Sequence, residues 1–284
     1  MNRPHDRALI GLALVRPAEI MGAEPYFHEL VAGVERVTLP RGHAMLLRVL
    51  SSREDESETY RRWAEEGQVG AVLLADLRVD DERLGLVEEL GLPAVVIGPP
   101  GPARLTSVWT DDDEVMKTTV RQLAAMGHEA MLHVGGPSDL MHSRRRRRAF
   151  VEECERLDVR SSCATGDYSR ASGVAAIETA LDAPGEEERP SVVVFDSDLM
   201  ALGGLGALQA RQIPVPHSVA LVSWEDSAIC QLADPPLTAL AHNARAVGRM
   251  VGEAILETIA GAEPRALRTA QARLVERGTT SRVA

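Results

Sequence analysis

Short apolar runs alternate along this chain with longer runs in which apolar residues return every three or four positions. The short runs have strand length and cover residues 9–15, 44–49, 71–75, 94–97, 131–134, 192–195 and 219–223. Between them, residues 26–37 carry Phe27, Leu30, Val31, Val34 and Val37 at helical spacing, and residues 115–126 carry Val115, Thr119, Val120, Leu123 and Met126 in the same way. A last helix is expected over 244–259 and a last strand over 272–276. Strands interleaved with helices predict an α/β protein with parallel sheets covered on both faces. Gly127 stands where a left-handed residue ends a helix, and Pro93, Pro190 and Pro214 stand ahead of strands, where a helix cannot continue.

The chain has 284 residues, more than a single core usually holds, so two lobes, or one domain of unusual length, are expected. The pattern divides into two βα halves that meet near residues 127–129. Residues 183–189 read as a solvated surface loop.

Composition narrows the possible partners. A hydrophobic content of 45% and a charged content of 26% describe a folded globular chain. A net charge of −11 argues against a nucleic-acid surface, which needs lysine and arginine clustered over a face. Cys154, Cys163 and Cys230 have no metal-ligand spacing and make a poor basis for disulfides, which fits a reducing cytoplasm. Residues 1–7 are polar and lack the features of a signal peptide, and no stretch is long and apolar enough to span a membrane. No metal or cofactor site is read.

Ten segments in order carry a resemblance: IGLALVRP with PYFHELVAGVE, VGAVLLA, LGLPAVVIG, AAMGHEAMLHVGGP, RRRRRAF, TGDYS, RPSVVVFDSDLMALGGLGAL, IPVPHSVALVSWEDS, PPLTALAHNARAVGRMVGEAIL and LVERGTTS. Over residues 8–281 the chain resembles the effector-binding core of LacI/GalR transcription regulators. The resemblance implies two Rossmann-like lobes joined by three crossovers, as in type I periplasmic binding proteins. The lobes would be residues 8–127 with 244–270, and 128–241 with 271–284. It also implies a sugar-like effector held in the interlobe cleft at the carboxyl ends of the strands, a homodimer, and allosteric control of DNA binding. Family members begin with a helix-turn-helix head and hinge of roughly 60 residues. Nothing ahead of Ala8 supplies one, so operator DNA would be met only through a head outside this chain, whether trimmed away or naturally absent.

The same resemblance names candidate ligand residues. Arg146, nine positions after Pro137, stands at the family's effector-binding arginine. Its planar fork suits a diol or a carboxylate, although five consecutive arginines, Arg144–Arg148, also read as a charged helix face. Glu225 and Asp226 follow a strand where the family has Gly-Tyr-Asp-Asp and this chain has Ser-Trp-Glu-Asp; an acidic pair there can also cap the next helix. Tyr26, Phe27, Tyr168 and Trp224 are candidate aromatic platforms, with Phe27 and Trp224 equally readable as core. Asp111 matches a pocket-edge aspartate and equally suits a helix N-terminus. Ser197 matches a polar ligand position, Asp198 reads as ligand or cap, and His242 replaces a frequent glutamine.

Two other functions compete with this one. An enzyme is disfavoured because GxSxG, P-loop and HExxH motifs are lacking and the glycines of GGLGAL fall inside an expected helix. An exported sugar-binding protein of a transporter would share the two-lobed fold and carry a signal sequence.

Overall fold

The structure is a computed structural model and describes residues 9–17, 25–101, 104–182, 185 and 189–282. The readings of residues 1–7 and of most of the 183–189 loop lie outside the described residues. In chain order the first elements are β1 (Leu9–Val15), α1 (Pro25–Thr38), β2 (Met45–Leu50), α2 (Arg53–Glu65), β3 (Val69–Leu74), α3 (Glu82–Glu89), β4 (Ala94–Ile97) and β5 (Thr106–Trp109). Next come α4 (Asp112–Ala125), β6 (Ala130–Gly135), α5 (Met141–Arg156), β7 (Arg160–Thr165), α6 (Arg170–Leu181), β8 (Val192–Phe195) and α7 (Asp198–Ala210). The chain closes with β9 (Ala220–Ser223), α8 (Ala228–Leu232), β10 (Thr238–Ala241), α9 (Ala244–Ile259), β11 (Ala266–Arg268) and β12 (Arg273–Val275).

These elements form two units: Met1–Asp111 with Asn243–Ala270, and Asp112–His242 with Gln271–Ala284. The first holds a six-stranded sheet in the order β11-β5-β4-β3-β1-β2, the second a six-stranded sheet in the order β12-β10-β9-β8-β6-β7. Every strand pairing in the first sheet is parallel. In the second, only β12 runs antiparallel, against β10. The fold is therefore the expected doubly wound α/β architecture in two units.

The first crossing differs from the expected boundary at residues 127 and 128: it falls between Asp111 and Asp112. Gly127 does end a helix, with φ 97° and its N–H donating to the Ala124 carbonyl. That helix belongs to the second unit. Val115, Met116, Val120 and Leu123 of α4 pack with Phe150, Val194 and Val222, and Lys117 pairs with Glu152 of α5 at 2.8 Å. A helix end punctuates the sequence, but packing decides which sheet a helix covers. The second crossing falls at His242 and Asn243, which puts His242 in the second unit.

Ile10, Leu12, Phe27, Leu30, Leu73, Val251 and Ile255 form the core of the first unit. Burying each such side chain is worth about 1.5–3 kcal/mol. The helices on that core approach closely because they carry glycine at the crossing. A Cβ on Gly33 of α1 would lie 2.3 Å from the Arg245 carbonyl oxygen, and one on Gly248 of α9 would lie 2.2 Å from that of Leu30. The second unit repeats the device: a Cβ on Gly173 of α6 would lie 2.0 Å from the Met200 carbonyl, and one on Gly203 of α7 would lie 2.1 Å from that of Arg170.

Candidate functional site

In the second unit β6, β8, β9 and β10 are parallel and adjacent, so their carboxyl ends share one edge of the sheet. The residue that follows each strand is Gly136, Asp196, Trp224 and His242, respectively. Backbone and side-chain groups just past strand ends are free of the ladder, which is why open α/β sheets place ligands there. Asp112 opens α4, and Arg146 reaches the same place from α5.

Of the six arginines in α5, Arg146 alone lies on the inward stripe with Ser143, Ala149, Phe150 and Glu153, three or four positions apart. Its side chain is 13% exposed. The guanidinium carbon stands 4.2 Å over the centre of the Trp224 ring, and His242 stacks on that ring at 5.3 Å. Nε lies 3.7 Å from Asp112 Oδ2 and Nη1 lies 3.7 Å from Asp196 Oδ1, beyond hydrogen-bond length. Nε is buried without a hydrogen-bond partner. A buried guanidinium N–H left unmatched costs about 1–3 kcal/mol, so this group is prepared for an acceptor.

The carboxylates around it are held by different means. Asp196 accepts from His133 Nε2 at 3.0 Å and from the Gly136 N–H at 3.1 Å. Burial alone would raise its carboxyl, but Arg146 and His133 hold it down at about 2. His133 is fully buried; burial disfavours its charge, yet Asp196 raises it to about 9. Asp112 is raised chiefly by burial, against the pull of Arg146. His242 is driven down to about 3 by burial and by the Arg146 charge.

Tyr168 adopts a left-handed backbone, φ 68°, at a cost of roughly 1–2 kcal/mol for a residue with a Cβ. Its hydroxyl is hydrogen-bonded to His142 Nε2 at 2.8 Å and to Ser143 Oγ at 3.1 Å. Gly136 makes room for the ring, since a Cβ there would meet the hydroxyl at 2.1 Å. Tyr168 and Glu225 both act electrostatically on Arg146.

Among the sequence candidates, the structure gathers Arg146, Trp224, His242, Glu225 and Tyr168 in one unit. The others have different surroundings. Phe27 is 2% exposed within the first unit's core, and its ring meets Tyr26 edge-on at 5.3 Å, so packing accounts for it. Trp224 is also 2% exposed, so its contact is with the guanidinium and not with an open platform. Ser197 caps α7 by accepting from the Met200 N–H. Asp198 accepts from the Leu199 N–H and from Ser227 Oγ, and Asp226 pairs with Arg277 at 2.8 Å. Asp111 belongs to the first unit and bonds Arg268 at 2.6 Å.

Asp112, His133 and Asp196 were missed. A lone histidine inside the apolar run of β6 was the available signal: buried in a parallel sheet, it needs a charged or polar partner. Among the described residues no group of three or more His, Cys, Asp or Glu is placed to hold a metal ion, and no helix is long and apolar enough to cross a membrane.

A model of the periplasmic binding protein-like domain matches residues 120–280. The transcriptional regulator CelR of Thermobifida fusca is 28% identical over 245 residues, 84% of this chain and 71% of its own length. A LacI family transcriptional regulator from Bifidobacterium animalis superposes with a TM-score of 0.87 at 29% identity, covering 97% of this chain and 98% of that one. The chain belongs to the LacI family. Its fold is that of the effector-binding core in these regulators. A further structure, of a transcriptional regulator CelR–cellobiose complex, has a TM-score of 0.87 at 27% identity over 98% of this chain and 86% of its own.

Proposed function

We propose that this LacI-family core is a sensor: it binds a small sugar-like molecule at the Arg146 cluster, and binding controls a DNA-reading head outside this chain. The observation that carries the reading is the buried Arg146 guanidinium with Nε unmatched, above Trp224 and between two carboxylates that it does not hydrogen-bond. Arg146, Asp112 and Glu225 would take ligand hydroxyls. Trp224 and His242 would hold the guanidinium in place, and Tyr168 would bound the site. The CelR neighbour solved with cellobiose supports a sugar as the ligand. A ligand that binds one conformation of the core better shifts the population toward it, which is all that control requires.

The protein would act by binding, without catalysis, in the cytoplasm. The net charge of −11 keeps operator contact off this chain. A homodimer is part of the proposal. Leu232 of α8, 85% exposed, offers an apolar contact for it, and a monomer in sedimentation at micromolar concentration would contradict that part.

A thermal-shift screen of sugars tests the sensor reading. A ligand present at a hundred times its Kd stabilises the fold by about 2.7 kcal/mol. The shift should vanish in Arg146→Ala, and a shift that persists unchanged there would refute the assignment. An exported sugar-binding component would show the same shift, and a signal sequence in the longer reading frame would identify it.

A further inference from the structure

We infer that the ligand taken at the Arg146 cluster is uncharged, a neutral polyhydroxylated sugar and not a sugar phosphate or a sugar acid. The inference rests on the sensor reading above and deepens it. An isolated buried arginine would be a natural partner for an anion. Arg146 is not isolated. Asp112 Oδ2 and Asp196 Oδ1 each stand 3.7 Å from one of its nitrogens, and Glu225 acts on it as well. Against these carboxylates stand Arg146 and His133, and His133 is already engaged 3.0 Å from Asp196. Arg145, which also acts on Asp112, is paired with Asp113 at 2.6 Å, and His142, which also acts on Asp196, is hydrogen-bonded to the Tyr168 hydroxyl at 2.8 Å.

The local balance therefore carries no positive surplus. Burial raises the Asp112 carboxyl, but even a protonated Asp112 only brings the balance to neutral. A phosphate or carboxylate entering here would give up its water and meet like charge within a few ångströms, with no spare cation to offset it. A hydroxyl faces neither difficulty. It can accept from the unmatched Nε of Arg146 and donate to Asp112, and a protonated Asp112 would simply reverse the second bond. Arg146 then orients a diol, and the acidic neighbours exclude anions.

Isothermal titration of the whole chain with neutral mono- and disaccharides, cellobiose and glucose among them, tests this when each binder is paired with its phosphorylated and uronate counterparts. Each charged counterpart should bind at least ten-fold more weakly than the neutral sugar. Asp112→Asn should narrow that gap at least three-fold, and Asp196→Asn should act in the same direction in protein whose circular dichroism is native. A charged counterpart that binds as tightly as its neutral sugar overturns the inference and leaves the sensor reading standing. A gap unchanged in Asp112→Asn overturns the assignment to these carboxylates. If neither neutral nor charged sugars bind at millimolar concentration, the sensor reading itself falls.

Discussion

The two units share a sheet order and a glycine-lined helix crossing, yet each buries an arginine in its own way. In the first unit Arg83 of α3 spends its donors on the protein. Nε donates to Asp81 at 2.9 Å, Nη1 to Glu56 at 2.8 Å, and Nη2 to the Ala75 and Asp76 carbonyls at 3.0 and 2.9 Å. In the second unit Arg146 stands 3.7 Å from its two nearest carboxylates and leaves Nε unmatched. Burial alone does not distinguish a structural arginine from one that awaits a ligand. The saturation of its donors does.

Removing each arginine is the strongest way to break that contrast. Arg83→Ala strands Glu56 and Asp81 in the interior and should cost about 3–5 kcal/mol in denaturant unfolding. Arg146→Ala loses ion pairs at 3.7 Å and the contact with Trp224 but no hydrogen bond, so it should cost less than Arg83→Ala, about 1–3 kcal/mol. Equal costs would show that the two arginines do the same work.

The glycine crossings offer a test of likeness between the units. Gly33→Ala and Gly173→Ala each drive a methyl group into a backbone carbonyl, and each should destabilise by about 1–3 kcal/mol. A large loss in one unit and none in the other would end the parallel.

A third test is the pH profile contributed by two histidines of the second unit. His133 has a folded value near 9, above the ordinary 6.5, so the folded state holds the extra proton and stability falls as pH rises from about 6.5 through 9. His242 has a folded value near 3, so the unfolded state holds the extra proton and stability falls as pH drops from 6.5 toward 3. Melting temperature should therefore peak near pH 6.5. His242→Gln should reduce the loss on the acid side, where His128, Asp196 and Asp81 still contribute, and leave the alkaline side in place; an unchanged acid side in that variant would refute the account.

Much of this was legible in the sequence, and the losses have physical causes. Strands β1, β4 and β8 match their apolar runs residue for residue, because central parallel strands are buried on both faces. The exposed edge strand β7, RSSCAT, was not expected, since an edge strand facing solvent carries no apolar signature. The short strands β5, β10 and β11 were missed as well, each too brief to form a pattern. Helical spacing alone makes one arginine of the run face inward. Phe27 suits a ligand platform or the core by sequence and the structure gives it to packing, whereas Ser197, a ligand position by resemblance, serves as a helix cap.

From the order of its residues alone, the chain determined its alternation of strand and helix, its two parallel sheets, and a set of polar groups stationed just past strand ends. Periodicity is local, so a single sequence displays it. Which of those groups meet was decided by the order of strands within the sheet. His133 and Asp196 become neighbours because β8 lies beside β6, and Asp112 approaches Arg146 because α4 packs on α5. Those adjacencies join residues far apart in the chain, and only the folded structure contains them.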